Sequence, residues 1–235
     1  MKENSLKQLI AEGKVPVGTA VFEFASPGIG RIAAQAGVDF VMFDMEHSGW
    51  TFETVKNLIA TMRSVQLAAT VRVPVIIYEY FAKAMDIEAQ SVVAPMVETR
   101  DEPELLASSV RYAPEGRCGV AIGLALDDFS GGDVQAKIRE ANHNAMADAL
   151  IEAVAGVENV DTIAAVKGVD ILWIGNNDLT NSMSIPSQFG HRGYLVAVDR
   201  IIKAARKNSK PCGIAFSDQA DAPVLLKRGF GALEY

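Results

Sequence analysis

Two acids, Glu152 and Asp178, each follow a short apolar run: Ala149-Leu150-Ile151-Glu152 and Trp173-Ile174-Gly175-Asn176-Asn177-Asp178-Leu179. A Glu in a buried strand is costly unless it is paired or bound to a metal. Asp178 alone reads equally well as a turn or helix cap. Together, two acids on neighbouring strand ends suit a hard divalent cation, since Mg²⁺ takes one or two carboxylates and fills its shell with water and substrate oxygens. No His/Cys cluster favours structural zinc. The run Phe43-Asp44-Met45-Glu46-His47 puts two carboxylates at strand spacing, hence on one face, with a histidine after them. Asp44 could orient the His47 imidazole and tune its basicity, making an Asp–His general base. A solvated strand-end turn is the simpler alternative. Val71-Arg72-Val73-Pro74 ends another run with an arginine. Arg72 either snorkels structurally or clamps a carboxylate or enolate. Gly175, Asn176 and Asn177 could offer backbone N–H groups to a substrate carboxylate.

Other polar residues read more plainly. Asp86 is expected at the surface or end of a helix, and His143 and His191 at the surface. Trp50, Met42 and Met45 read as packing. No lysine stands at an expected strand mouth, which argues against Schiff-base chemistry.

The elements that must position these residues follow from hydrophobic patterning. Apolar runs occur at Val17–Glu23, Phe40–Glu46, Ala68–Val73, Ser91–Val97, Ala149–Val154, Ile171–Ile174, Cys212–Phe216 and Gly231–Tyr235. They are short and rich in Val, Ile and Phe, as buried parallel strands are. Between them, Phe52, Val55, Ile59 and Met62 mark one helical face, with Thr51 as N-cap, and Leu195, Val198, Ile202 and Ala205 mark another. Gly37, Gly168 and Gly229 stand where helices close. About eight strands alternating with helices predict an α/β fold, a (β/α)8 TIM barrel over residues 1–235 as a single domain. An open doubly wound sheet is the main alternative. It usually carries a glycine-rich phosphate loop after its first strand. Here Gly28-Ile-Gly30 lacks the third glycine, so Ser26 and Pro27 read as a helix start. Two irregularities stand out: an insertion between strands 4 and 5, about Pro114 to Asp148 with a helix-like run Val134 to Ala147, and no helix after strand 8. The insertion suits a lid or an oligomer contact. For the missing helix, either the chain is truncated or something else covers that side of the barrel.

Lys and Arg total 22 against 29 Asp and Glu, a net charge of −7. That balance argues against nucleic acid and anionic membrane as partners. It leaves an anionic substrate open, because a bound metal reverses the local sign. Cys118 and Cys212 make no metal or redox motif. The N-terminus has no apolar signal core, and no run approaches a membrane span, so a cytoplasmic protein is expected.

The sequence resembles the HpcH/HpaI family of class II 4-hydroxy-2-oxo-acid (pyruvate) aldolases over nearly its whole length. The resemblance runs through Val17-Gly-Thr19, Ala36-Gly-Val-Asp-Phe-Val41, Asp44-Met-Glu-His47, Val71-Arg-Val-Pro74 and Pro95-Met-Val-Glu-Thr99. It continues with Arg111-Tyr-Ala-Pro114, Ile151-Glu152, Val157-Glu-Asn-Val-Asp161, Gly168-Val-Asp170 and Gly175-Asn-Asn-Asp-Leu179. It implies a (β/α)8 barrel, usually a homo-oligomer, acting on a small 2-oxo acid. It implies that Glu152 and Asp178 hold Mg²⁺, Mn²⁺ or another divalent ion such as Co²⁺, which chelates the ketone and carboxylate oxygens of pyruvate. Arg72 would stabilise the enolate, and His47, paired with Asp44, would handle the proton in carbon–carbon cleavage. Three positions depart from the family pattern: Leu150 stands for a glutamine, Asn176 for a proline, and Asp86-Ile-Glu-Ala-Gln-Ser91 lacks two glycines. The expected activity is cleavage of a 4-hydroxy-2-oxo acid to pyruvate, or a related 2-oxo acid, and an aldehyde. An oxaloacetate-type decarboxylase is the close alternative, and a ligand-binding barrel with little catalysis the distant one.

Overall fold

The structure is a computed structural model that describes residues 2–235. Eight strands form it: β1 (Val17–Val21), β2 (Phe40–Asp44), β3 (Ala68–Arg72), β4 (Ser91–Ala94), β5 (Met146–Ile151), β6 (Ile171–Ile174), β7 (Cys212–Ala215) and β8 (Ala232–Glu234). Each pairs in parallel with the next, and β8 pairs with β1, so the sheet closes. With helices interleaved along the chain, this is a TIM barrel.

Alternation along the strands sorts their side chains into two cores. Val41, Phe43, Ala69, Val71, Val92, Ala147, Ala149, Leu172 and Ile214 pack outward against the helices. Phe40, Met42, Ala68, Val93, Met146, Leu150, Ile171, Trp173 and Ala232 fill the interior. The Phe40 and Trp173 rings meet edge to face, with centroids 5.9 Å apart. Gly18 and Gly213 make room for them, since a Cβ at either would overlap a ring. The base is sealed by the helix Ser5–Ala11, whose Leu6 is fully buried in the interior cluster. Asn4 caps that helix and ties it down, its Nδ2 donating to the carbonyls of Gln90 and Asn144 at 2.9 and 2.8 Å.

The expected caps hold at Thr51, Gly37 and Gly229, while Gly168 lies in a turn three residues beyond the cap of its helix, Val160–Ala164. Thr51 caps the helix Phe52–Thr61 by accepting the Thr54 N–H, and Gly37, Gly168 and Gly229 take positive φ of 79°, 88° and 102°. The helix Arg192–Lys207 buries the expected stripe, and His191, read as plain surface, caps it through Nδ1.

Three expectations are corrected. The helix after β1 starts at Ile29 on Gly28, not at Ser26–Pro27; Ser26 Oγ is spent on the Gly28 N–H. The helix in the insertion is Val134–Asn144, and β5 begins at Met146 rather than Ala149, because Met146 and Asp148 already point inward. Asp86 is the helix-end acid expected, closing the helix Tyr78–Asp86 half-buried near Tyr112 and Cys118, where burial pushes its carboxyl up. The insertion does not cover the barrel mouth: Arg63 at the far end of the barrel holds Glu88, Asp128 and the Ala125 carbonyl, and no residue from 114 to 145 lines the mouth cleft. Both cysteines are buried, and burial pushes the Cys118 thiol up to about 11 and Cys212 higher still. Among the described residues no helix follows β8, and none is long and apolar enough to cross a membrane.

Candidate active site

Parallel strands deliver polar side chains together at their carboxyl ends. Asp44 and Arg72 are register partners on β2 and β3. Arg72 Nε donates to Asp44 Oδ1 at 3.0 Å and Nη2 to Oδ2 at 2.5 Å, a two-pronged pair around a fully buried carboxylate. Nη1 lies 3.2 Å from Glu46 Oε2. Burial opposes the Arg72 charge. The hydrogen bonds it donates to Asp44 and the charges of Asp44, Glu46 and Glu152 outweigh that burial and raise its pKa above the ordinary value.

The expected Asp44–His47 pair does not form. Asp44 Oδ1 accepts the backbone N–H groups of Glu46 and His47 at 2.8 and 3.4 Å, while Arg72 takes both carboxylate oxygens. Spacing placed the histidine near the aspartate, but the stronger charge-assisted partner comes from the next strand. The His47 ring stands at the exposed mouth, with Nε2 3.9 Å from Glu46 Oε2. Burial pushes the Glu46 carboxyl up, against the pull of Arg72.

Glu152 follows β5 and is 2% exposed. Its Oε1 accepts the Met96 N–H at 2.7 Å. Gly175 lies against its other oxygen, so any Cβ at 175 would overlap the carboxylate. Burial pushes Glu152 up to about 7; the Met96 N–H works against this, and the charges of Glu46 and Asp178 add to it. Asp178 stands exposed in the first turn of the helix Asn176–Ser182. Glu46, Glu152 and Asp178 thus share one electrostatic field, and the nearby guanidinium is already paired to Asp44. With one guanidinium shared among Asp44, Glu46 and Glu152, the hollow keeps an acidic excess that fits a divalent cation. Among the described residues no group of three or more His, Cys, Asp or Glu is arranged to hold one. A cation between Glu152 and Asp178 would therefore complete its shell with substrate and water oxygens, as Mg²⁺ does.

A cleft of about 610 Å³ opens here, lined by His47, Arg72, Glu152, Gly175, Asn176, Asn177 and Asp178 over a floor of Met42, Val93, Leu150 and Trp173. Asp44 lies outside the lining and holds Arg72 from behind. No lysine lines it. The Gly175 N–H is taken by the Ile151 carbonyl and cannot serve a substrate. The Asn176 side chain braces β7, donating to the Ala215 carbonyl and accepting from Tyr194 Oη. What Asn176 and Asn177 offer the cleft is the backbone of an open first helical turn.

Two residues of the cleft region escaped the sequence reading. Glu46 was noticed beside Asp44 but given no role. Glu234 was hidden in the last apolar run, although it ends β8 as Glu152 follows β5, and the same rule would have found it. Burial pushes its carboxyl up to about 7, with Arg72 pulling it down and Asp44 pushing it further up.

This architecture is shared with known proteins. Residues 22–233 match the family described as HpcH/HpaI aldolase/citrate lyase. The 5-keto-4-deoxy-D-glucarate aldolase of Salmonella gallinarum is 31% identical over 226 residues, covering 96% of this chain and 87% of that protein. The crystal structure of an HpcH/HpaI aldolase from Desulfitobacterium hafniense superposes with a TM-score of 0.93 at 29% identity, covering 97% of this chain and 88% of that one. An HpcH/HpaI aldolase/citrate lyase family protein from Burkholderia cenocepacia gives 0.90 at 26% identity, covering 98% and 91%. The chain therefore belongs to the HpcH/HpaI aldolase/citrate lyase family and is homologous to its class II aldolases.

Proposed function

We propose that the chain is a divalent-metal-dependent carbon–carbon lyase that cleaves a 4-hydroxy-2-oxo acid to pyruvate, or a related 2-oxo acid, and an aldehyde. One juxtaposition carries the reading: a fixed guanidinium, Arg72, and two acids, Glu152 and Asp178, around one cleft. Family membership supports it. Held by Glu152 and Asp178, an Mg²⁺ or Mn²⁺ ion would supply Lewis-acid polarisation of the 2-oxo group. Arg72, locked by Asp44, places positive charge where the 2-oxo oxygen becomes negative and needs no reorganisation to do so. The open N–H groups at Asn176 and Asn177 receive the substrate carboxylate. The apolar floor at Leu150 and Trp173 keeps water from the reacting carbons. His47 stands at the mouth to take the 4-hydroxyl proton as the C3–C4 bond breaks. The bond's electron pair moves onto C3 and the 2-oxo oxygen, and protonation at C3 releases the 2-oxo acid.

One observation favours a second reading, oxaloacetate-type decarboxylation. Asp44 is committed to Arg72, and Glu46 stands 3.9 Å from His47 Nε2, beyond hydrogen-bond reach, while decarboxylation does not require His47 as a base.

The test is pyruvate release from a panel of 4-hydroxy-2-oxo acids, including 5-keto-4-deoxy-D-glucarate, with Mg²⁺, Mn²⁺ or Co²⁺. Release should stop on chelation and in Glu152→Ala and Asp178→Ala. Full activity of either variant with chelator present would refute the metal site.

A further inference from the structure

We infer that Glu234 and the wall around it select the aldehyde half of the substrate, favouring an uncharged, hydroxyl-bearing aldehyde over one ending in a carboxylate. This rests on the aldolase reading above. The acids proposed for the metal belong to the β5 and β6 ends and Arg72 to β3, so the 2-oxo-acid half occupies that side of the rim. The rest of the substrate faces the other side, built from β7, β8 and β1.

Glu234 is the register partner of Ala215 on β7 and Gly18 on β1. Both neighbours are small, which leaves its longer side chain free to reach the cleft it lines. It is 8% exposed, and among the described residues none hydrogen-bonds its carboxyl. A carboxyl so buried is costly until something pairs with it, and the cleft is the open direction. Around it the wall is Phe22, Phe216, Val224 and Leu225, with Asp221 as a second acid. Arg228 also lines this side, but its guanidinium is spent: Nε and Nη2 donate to Asp199 Oδ1 at 3.0 and 2.8 Å, and Nη2 to the Leu195 carbonyl at 2.9 Å.

The chemistry of recognition follows. A hydroxyl both donates and accepts, so it pairs with a carboxyl in either protonation state. A substrate carboxylate pairs only with the protonated acid, and otherwise meets like charge from Glu234 and Asp221, while the two guanidiniums of the cleft are engaged, Arg72 by Asp44 and Arg228 by Asp199.

The experiment compares two substrates of equal length, the pyruvate aldols of glycolaldehyde and of glyoxylate. kcat/KM for pyruvate release is measured in the wild-type chain and in Glu234→Gln, Glu234→Ala and Asp221→Asn. The wild-type chain should prefer the glycolaldehyde aldol by about tenfold or more, the discrimination one missing pairing commonly gives. Glu234→Gln keeps a hydrogen-bonding group without the charge, so it should narrow the ratio at least about threefold by gaining on the glyoxylate aldol. Glu234→Ala should lose about tenfold on the glycolaldehyde aldol. Asp221→Asn, an exposed change, should narrow the ratio in the same direction and guards against a folding defect at the buried site. A purely structural role would slow both substrates alike. A ratio unmoved within about twofold in every variant, or a wild-type preference for the glyoxylate aldol, overturns the role of Glu234 and leaves the aldolase reading standing. No pyruvate release from either aldol by the wild-type chain overturns both.

Discussion

Replacing Asp148 by Asn should make the protein more stable, and increasingly so as the pH rises. Asp148 lies inside the barrel, one inward step below Leu150, and is fully buried. Ser91 Oγ and Trp173 Nε1 donate to its Oδ2 at 2.7 and 3.3 Å, and among the described residues none hydrogen-bonds Oδ1. Burial, with the charge of Asp170, pushes the carboxyl from 3.8 up to about 8, against smaller pulls from Ser91 and Trp173. Between those values the folded chain holds a proton that the unfolded chain has released. Stability from this group is therefore complete below about pH 4 and drains away up to about pH 8, at roughly 1.4 kcal/mol per pH unit. From pH 5 to 8 the loss is about 4 kcal/mol. Asn has the shape of the protonated acid, still accepts from Ser91, and cannot ionise. At roughly 2–4 °C per kcal/mol for a chain of this size, the melting gap between variant and parent should widen by about 8–16 °C over that range. Thermal melts followed by far-ultraviolet circular dichroism at pH 5, 6, 7 and 8, at one scan rate, read this directly. A gap that stays constant with pH, or a parent more stable than the variant at pH 8, would show that Asp148 is not held protonated.

Two further outcomes concern the cleft. Gly175→Ala puts a methyl against the buried Glu152 side chain, so Mn²⁺ binding measured by calorimetry should weaken by about tenfold or more, with a melting temperature lowered by about 2–12 °C from overpacking; undiminished binding would detach Gly175 from the site. His47→Ala, an exposed change, should cost aldol cleavage about a hundredfold or more and leave oxaloacetate decarboxylation nearly intact. Equal losses in both reactions would place His47 outside the proton transfer.

The barrel was legible because parallel strands buried on both faces leave unbroken apolar runs, and its helices announce themselves by stripes and closing glycines. Glu152 and Asp178 stood out because an acid at the end of such a run needs a reason. Partnership was less legible. Asp44 and His47 are close in sequence, but Arg72 reaches Asp44 across a strand register that no local pattern records. The start of β5 was hidden by Asp148, an inward acid that breaks the apolar run it belongs to. The insertion suggested a lid because its length says nothing about which end of the barrel it covers.

The helix that seals the base of the barrel has a consequence for how the chain is made. Leu6 is buried in the interior cluster to which six different strands contribute, the last contribution being Ala232 on β8. A ribosome working at about 5–20 residues per second needs roughly 10–45 s to travel from the one to the other. For that interval Leu6 and Ile10 have no cavity to enter, and the Gln90 and Asn144 carbonyls that hold Asn4 arrive at different times. Residues synthesised well before β8 are therefore among the last to be shielded from water. Their docking acts as a latch that closes only on a finished ring of strands, and until then they are the surface that a chaperone or a protease would meet first.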